Sequence, residues 1–286
     1  MNGDVVDALR ARGYRTDGRL LPVARPQRLA FGVVSPDGLS LVAKTYPEGR
    51  GELAYANMVE VWRSSFGERR RPPGLPRPVA YLPDLGVLLM ERVAGLPLST
   101  LDPVPAAGVE EAVRLVADLH ASDARPTTRR DRHALDRSFA RKAADVPPPF
   151  REEFAAAAAV LRAAAVDEPE LVPAHGDFSA RNVLVGETRV LIDWDRFQLA
   201  DSARDVAYIG AWSWFRALAE RREPSWDDLD RALEAYERAR PGTRVRERID
   251  FHVAAALLRI SHSRARWDDA AAIVPRLLAE ARRRAT

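Results

Sequence analysis

The stretch Val172–Val185, VPAHGDFSARNVLV, decides how the chain is read. An apolar run leads into His175, Gly176 and Asp177, and a second apolar run starts just after Asn182. A plain turn needs no such set of functional groups. The next run, TRVLIDW (Thr188–Trp194), pairs naturally with the strand before it across Gly186 and Glu187, so Asp193 closes a hairpin that Asn182 opens. Two oxygen-bearing side chains at the strand ends of one hairpin can converge on a hard cation. Without Cys or His beside them they suit magnesium. Asp177, on the loop just before, is left to take a proton or to act as a nucleophile.

A cation is the missing part of such a site. Of the 44 basic residues only Lys44 and Lys142 are lysine. A chain so biased to arginine keeps a compact ammonium at position 44, where a planar guanidinium is not equivalent. Position 44 also lies in an apolar strand. SPDG (Ser35–Gly38) marks a turn, so Leu29–Val34 and Leu39–Tyr46 read as a hairpin with Lys44 in its second strand. A carboxylate, two oxygen ligands and a strand cation make up the set that phosphoryl transfer from a nucleotide requires.

Composition removes several alternatives. The 286 residues are 47% hydrophobic and 30% charged, which fits a folded chain with a sizeable core and neither disorder nor a membrane span. MNGDVVDALRARG lacks an apolar signal core, so the cytoplasm is the expected location. No cysteine is present, and the five His are scattered without an HExxH string, which disfavours disulfides and a His-built metal site. The net charge of +3 is small against 44 basic and 41 acidic side chains. Two basic stretches, Glu68–Pro73 and Arg125–Lys142, read as solvated surface, and nucleic acid is disfavoured as a partner.

The order of elements suggests two parts. β-rich segments and one helix, Gly51–Gly67, occupy the N-terminal third, with further strands in VAYLP and GVLLMERV. From Gly95 onward the pattern is helical in GVEEAVRLVADLHAS, REEFAAAAAVLRAAAV, SARDVAYIGAWSWFRALAERR, SWDDLDRALEAYERA and IDFHVAAALLRISHSRARW. The expected division is residues 1–92, an N-terminal nucleotide-binding part, and 93–286, a helical part with the loop and an acceptor site.

HGDFSARN, LIDW and ARDVAY, in that order, resemble the aminoglycoside phosphotransferase and choline kinase group, relatives of protein kinases. In protein kinases the matching strings are H-R-D-x-x-x-x-N and D-F-G. Here Gly176 replaces the Arg, and Trp194 with Asp195 replaces Phe-Gly. The resemblance implies an α+β, bilobal protein-kinase-like fold with a small antiparallel N-lobe sheet and a larger helical C-lobe. It implies an ATP-dependent kinase with magnesium, GTP being an open alternative, acting on a hydroxyl of a small polar molecule such as an aminoglycoside, another sugar, an amino alcohol or a natural product.

Carried over by position, Asp177 is the catalytic base, Asn182 and Asp193 are the metal ligands and Lys44 is the phosphate contact. Met90 flanks the adenine, and the backbone of Glu91 and Val93 hydrogen-bonds it. His175 and Asp205 support the catalytic loop. Glu52, at a helix start, is preferred over Glu60 as the partner of Lys44. The phosphate-covering loop should lie near Val23–Gln27, which has no glycine, so Arg25 or Arg28 would stand in for its amides. Asp195, Trp214 and Ser179 are candidate acceptor contacts, although Trp212, Trp214 and Phe215 read first as core. The rival readings are a nucleotide-binding pseudokinase and a basic adaptor for nucleic acid or an acidic protein. Oligomeric state is left open.

Overall fold

The β2–β3 hairpin shows how the first part of the chain is built. β2 (Ala30–Val34) and β3 (Ser40–Thr45) pair antiparallel from Ala30 opposite Lys44 to Val34 opposite Ser40. Gly38, at φ 90°, closes the turn with its N–H donated to the Ser35 carbonyl. Side chains alternate across a strand. One face of β3 therefore buries Leu41 and Ala43 with Phe31, Val33, Val87, Leu89 and Leu9, while Lys44 projects from the other. Burying each large apolar side chain of that cluster is worth roughly 1.5–3 kcal/mol.

The structure is a computed structural model that describes every residue except 1, 22–27, 131 and 165–168; the side chains of 2, 3, 17–19, 132 and 133 are also outside the description. The chain divides into two compact units. The first comprises Met1–Leu96, Ser122–Arg125 and Leu184–Arg196. Its elements begin with α1 (Asn2–Ala11) and β1 (Arg15–Leu21), followed by the hairpin and α2 (Gly51–Arg63). β4 (Pro78–Leu82), β5 (Val87–Glu91) and the two-residue β6 (Leu96–Pro97) complete its N-terminal portion. The sheet order is β1-β2-β3-β5-β4, every pair antiparallel, with β3 central. Central placement holds Lys44 between its ladder partners Ala30 and Leu88.

The second unit, Pro97–Ala121, Pro126–Val183 and Phe197–Thr286, is mainly helical. It contains α3 (Ala106–His120), β7 (Arg129–Arg130), α4 (Arg132–Asp145), α5 (Pro148–Ala163) and β8 (Leu171–Ala174). β9 (Val183–Val185) and β10 (Arg189–Leu191) follow, and most of that hairpin groups with the first unit. Then come β11 (Gln198–Asp201), α6 (Ala203–Ala219), α7 (Asp227–Ala239), α8 (Val245–Arg264) and α9 (Ala270–Ala285). α8 packs on both α6 and α9 and is apolar nearly all round over Val253–Leu258, the pattern of a central helix. β8 and β11 pair antiparallel, Ala174 opposite Gln198, and so fix where the segment after Ala174 begins.

The helices expected after Gly95 are all present, with ends that differ by a few residues. α1, α4 and α9 were not among the expected helices. α9 carries Pro275, which has no N–H to give its helix and interrupts the sequence pattern. Among the described residues no helix is long and apolar enough to cross a membrane.

Candidate active site

In the first unit Lys44 meets two carboxylates. Its Nζ donates to Asp193 Oδ1 at 2.6 Å and to Asp195 Oδ1 at 3.3 Å. Both carboxylates come from the segment after β10. Trp194 anchors that segment: it is 1% exposed, donates its indole N–H to the Leu191 carbonyl and meets the Phe66 ring edge-on at 6.0 Å. Asn57 of α2 donates from Nδ2 to the Trp194 carbonyl at 3.1 Å. With the indole held inward, the backbone turns at Asp193, which has φ 68°. Left-handed backbone at a non-glycine residue costs about 1–2 kcal/mol, and such strain collects at functional sites.

Asp195 is the most heavily engaged group of the cluster. The Tyr46 hydroxyl donates to it at 2.6 Å and the Arg28 guanidinium pairs with it. Arg28, 4% exposed, also donates to Glu48 and lies 4.3 Å from the Tyr46 ring centroid. Burial opposes charge on Asp195, but Lys44, Tyr46 and Arg28 outweigh it and hold the carboxyl down at about 2. Burial likewise opposes charge on Lys44, and the Asp193 and Asp195 carboxylates overcome it, leaving Lys44 above the usual lysine range. The ammonium is fixed as a cation.

In the second unit the loop after β8 is tied down through its backbone. Asp205, at the start of α6 and fully buried, accepts the His175 N–H at 2.7 Å on one oxygen and the Gly176 N–H at 2.8 Å on the other. His120 of α3 reaches Asp205 at 3.2 Å through Nε2 and the Tyr236 hydroxyl at 2.8 Å through Nδ1. Burial favours the neutral acid at Asp205, yet His120 and the loop amides hold it below the usual carboxylate range. Gly176 has φ 75°, a conformation that glycine adopts freely and arginine does not. Its place in the string where protein kinases have Arg follows from that turn.

Beyond Gly176 the loop presents Asp177. The Asp177 N–H points to His175 Nδ1 at 3.3 Å, and Asn182 Nδ2 donates to the Asp177 carbonyl at 2.8 Å. Using its amide nitrogen in this way leaves Asn182 its Oδ1 to offer a cation. The Asp177 carboxylate accepts from Arg259 of α8 at 2.5 Å and from Arg181 at 3.2 Å. Arg259 also donates to the Gly176 carbonyl at 2.6 Å. Burial opposes its charge, but Tyr208 and Asp177 keep Arg259 above the usual arginine range.

The remaining expected residues fall as follows. Glu52 is exposed in the first turn of α2, and Lys44 pairs instead with Asp193 and Asp195; Glu60 accepts the Arg125 N–H at 2.7 Å. Glu91 donates its N–H to the Arg77 carbonyl. Met90 and Val93 are half-buried. Asp195 belongs to the Lys44 cluster. Trp214 is buried and stacks on Trp226, 5.7 Å between centroids, and Ser179 is wholly enclosed, its hydroxyl without a partner among the described residues. Arg25 and the Val23–Gln27 loop lie outside the described residues. Arg259, Arg181 and Tyr46 were not anticipated. Nothing singles out an arginine among 42 until the helices are packed.

Residues 29–249 match the model of the phosphotransferase enzyme family, APH. The chain belongs to that family. Among solved structures it is similar to a choline/ethanolamine kinase family protein from Mesorhizobium loti, 17% identical over 98% of this chain and 94% of that one, with a TM-score of 0.66. It is also similar to an aminoglycoside-3'-phosphotransferase of type VIII, 22% identical over 98% of each chain at a TM-score of 0.61. An amicoumacin kinase in complex with AMP-PNP, Ca2+ and Ami is 11% identical over 99% of this chain and 94% of that one, at a TM-score of 0.66. No curated protein sequence matches the chain. The α+β protein-kinase-like fold read from HGDFSARN and LIDW is thus the fold of this APH-family phosphotransferase.

Proposed function

We propose that this phosphotransferase moves the γ-phosphoryl group of ATP to a hydroxyl of a small polar molecule, with Asp177 as the base. The observation that carries the reading is the loop itself. Two backbone bonds to Asp205 and one from Asn182 hold the backbone around Asp177, and Arg259 meets its carboxylate, before any acceptor arrives. Pre-organisation of this kind is what general-base catalysis asks of a side chain.

In the reaction the acceptor oxygen attacks the γ-phosphorus while the bond to the β,γ-bridging oxygen breaks. ADP leaves with that electron pair, and the hydroxyl proton passes to Asp177. Lys44 contacts the phosphates and Tyr46 shapes its surroundings. The donor set fits magnesium: one amide oxygen from Asn182 and one carboxylate from Asp193, with phosphates and water for the remaining positions. When bound, the ion neutralises phosphate charge. No group of three or more His, Cys, Asp or Glu side chains among the described residues could hold a metal alone. The first unit would bind the nucleotide, with Met90, the Glu91 carbonyl and Val93 at the adenine, and the helical unit would bind the acceptor.

The test is a panel of hydroxyl acceptors incubated with magnesium and either ATP or GTP, scored by the mass gain of one phosphoryl group. Transfer is expected with the wild type. Asp177→Asn should lower turnover by about 100- to 10,000-fold with nucleotide affinity nearly intact. Wild-type turnover in that variant would remove Asp177 from the role. Magnesium-dependent ATP binding with no transfer to any acceptor would favour a nucleotide-binding regulator.

A further inference from the structure

The surroundings of Asp177 are not those a polycationic acceptor would call for. Two guanidinium groups already face its carboxylate, Arg259 at 2.5 Å and Arg181 at 3.2 Å. A third, Arg264, closes α8. α6 arranges two of the three. Tyr208 and Phe215 are seven residues apart on α6, two helical turns, and so share a face about 10 Å long. Arg259 stacks on the first ring at 4.2 Å from its centroid and Arg264 on the second at 4.6 Å. Arg264 lies a further 4.3 Å from the ring centroid of Trp267, which is 53% exposed.

The two stacked arginines differ in what their edges do. Arg259 spends its N–H groups on Asp177 and the Gly176 carbonyl. The Arg264 guanidinium donates no hydrogen bond among the described residues. Its Nε is buried without a partner, and the nearest carboxylate oxygen, on Asp269, is 3.8 Å from Nη2. An Arg whose face is covered by aromatic rings and whose in-plane donors are unspent is suited to a planar or tetrahedral anion. Burial holds Arg264 below the usual arginine range against the opposing pull of Asp269, and the charge of Arg181 adds to the lowering.

We infer that the acceptor of this enzyme is an alcohol that also bears an anionic group, a carboxylate or a phosphate, and that Arg264 and Arg181 bind that group beside Asp177. The inference rests on the phosphotransferase reading above and narrows its acceptor class. Arg259 then acts as a positioning residue that fixes the Asp177 carboxylate and the Gly176 carbonyl. A cationic acceptor would meet repulsion there.

Calorimetry with matched pairs tests this in the presence of magnesium and AMP-PNP, which fills the nucleotide site. Gluconate against glucitol isolates a carboxylate, and glucose 6-phosphate against glucose isolates a phosphate. At least one anion should bind about tenfold more tightly than its neutral partner, the gain of one charge-assisted contact. The preferred pair tells which anion is meant. Arg264→Gln should remove that preference, and Arg181→Gln, at a more exposed position, should weaken it in a separate variant. Equal binding within both pairs, or a preference that survives both substitutions, overturns the assignment. The heat of AMP-PNP binding reports on the kinase reading independently: its absence would count against that reading, whereas its presence with no anion preference would sink only the acceptor class.

Discussion

Around Lys44, charged side chains and one phenol satisfy one another directly, whereas Asp177, besides meeting Arg259 and Arg181, stands on a loop whose backbone is tied to a buried acid. The first arrangement is exchangeable. Lys44 is held by the side chains of Asp193 and Asp195, and on the proposed function phosphate oxygens would take over from a carboxylate. The second is not. The bonds from His175 and Gly176 to Asp205 cannot be released without unfolding the loop. On the proposed function, one region would trade partners with a charged ligand and the other would keep one carboxylate still.

The contrast breaks first at Asp205. Asp205→Ala leaves two loop amides and His120 without their shared acceptor inside the helical unit. The loss should be about 3–5 kcal/mol, the range for removing one partner of a buried charged group. Urea denaturation followed by tryptophan fluorescence measures it. A cost below about 1 kcal/mol, the size of a single ordinary hydrogen bond, would mean that the loop is held by something else.

A smaller effect sharpens the other side. Asp195 has its carboxyl lowered from 3.8 to about 2, so its ion pairs stabilise the protein above pH 4 and are lost as pH falls toward 2. The stake is roughly 2 kcal/mol. Asp195→Asn cannot titrate there, and its acid-unfolding profile should be flatter than the wild type over that window. Identical slopes for the two proteins would show that the cluster does not stabilise the fold.

How far the sequence reached follows the same division. The loop was legible because its groups are close in the chain: His175, Gly176, Asp177 and Asn182 fall within eight residues, and Asp205 follows in a recognisable string. Lys44 was legible through its rarity and its strand. Its partners were not, since Asp193 and Asp195 lie 149 and 151 residues further on, and only chain packing brings them to β3. The helix-start Glu52 was the nearer choice in sequence and is exposed. Arg259 and Arg264 were hidden for another reason. In an arginine-rich chain no single guanidinium has a compositional mark, and what distinguishes these two is that they stack on Tyr208 and Phe215 of α6.

The central proposal is that Asn182 and Asp193 serve one metal–nucleotide complex. A double-mutant cycle on ATP binding tests it most directly, using wild type, Asp193→Asn, Asn182→Ala and the double variant, each with and without magnesium. Shared ligation predicts strong non-additivity, a coupling of at least about 1.4 kcal/mol or tenfold in affinity, present only with magnesium. Additive losses, or a coupling that persists when the metal is removed, would contradict it.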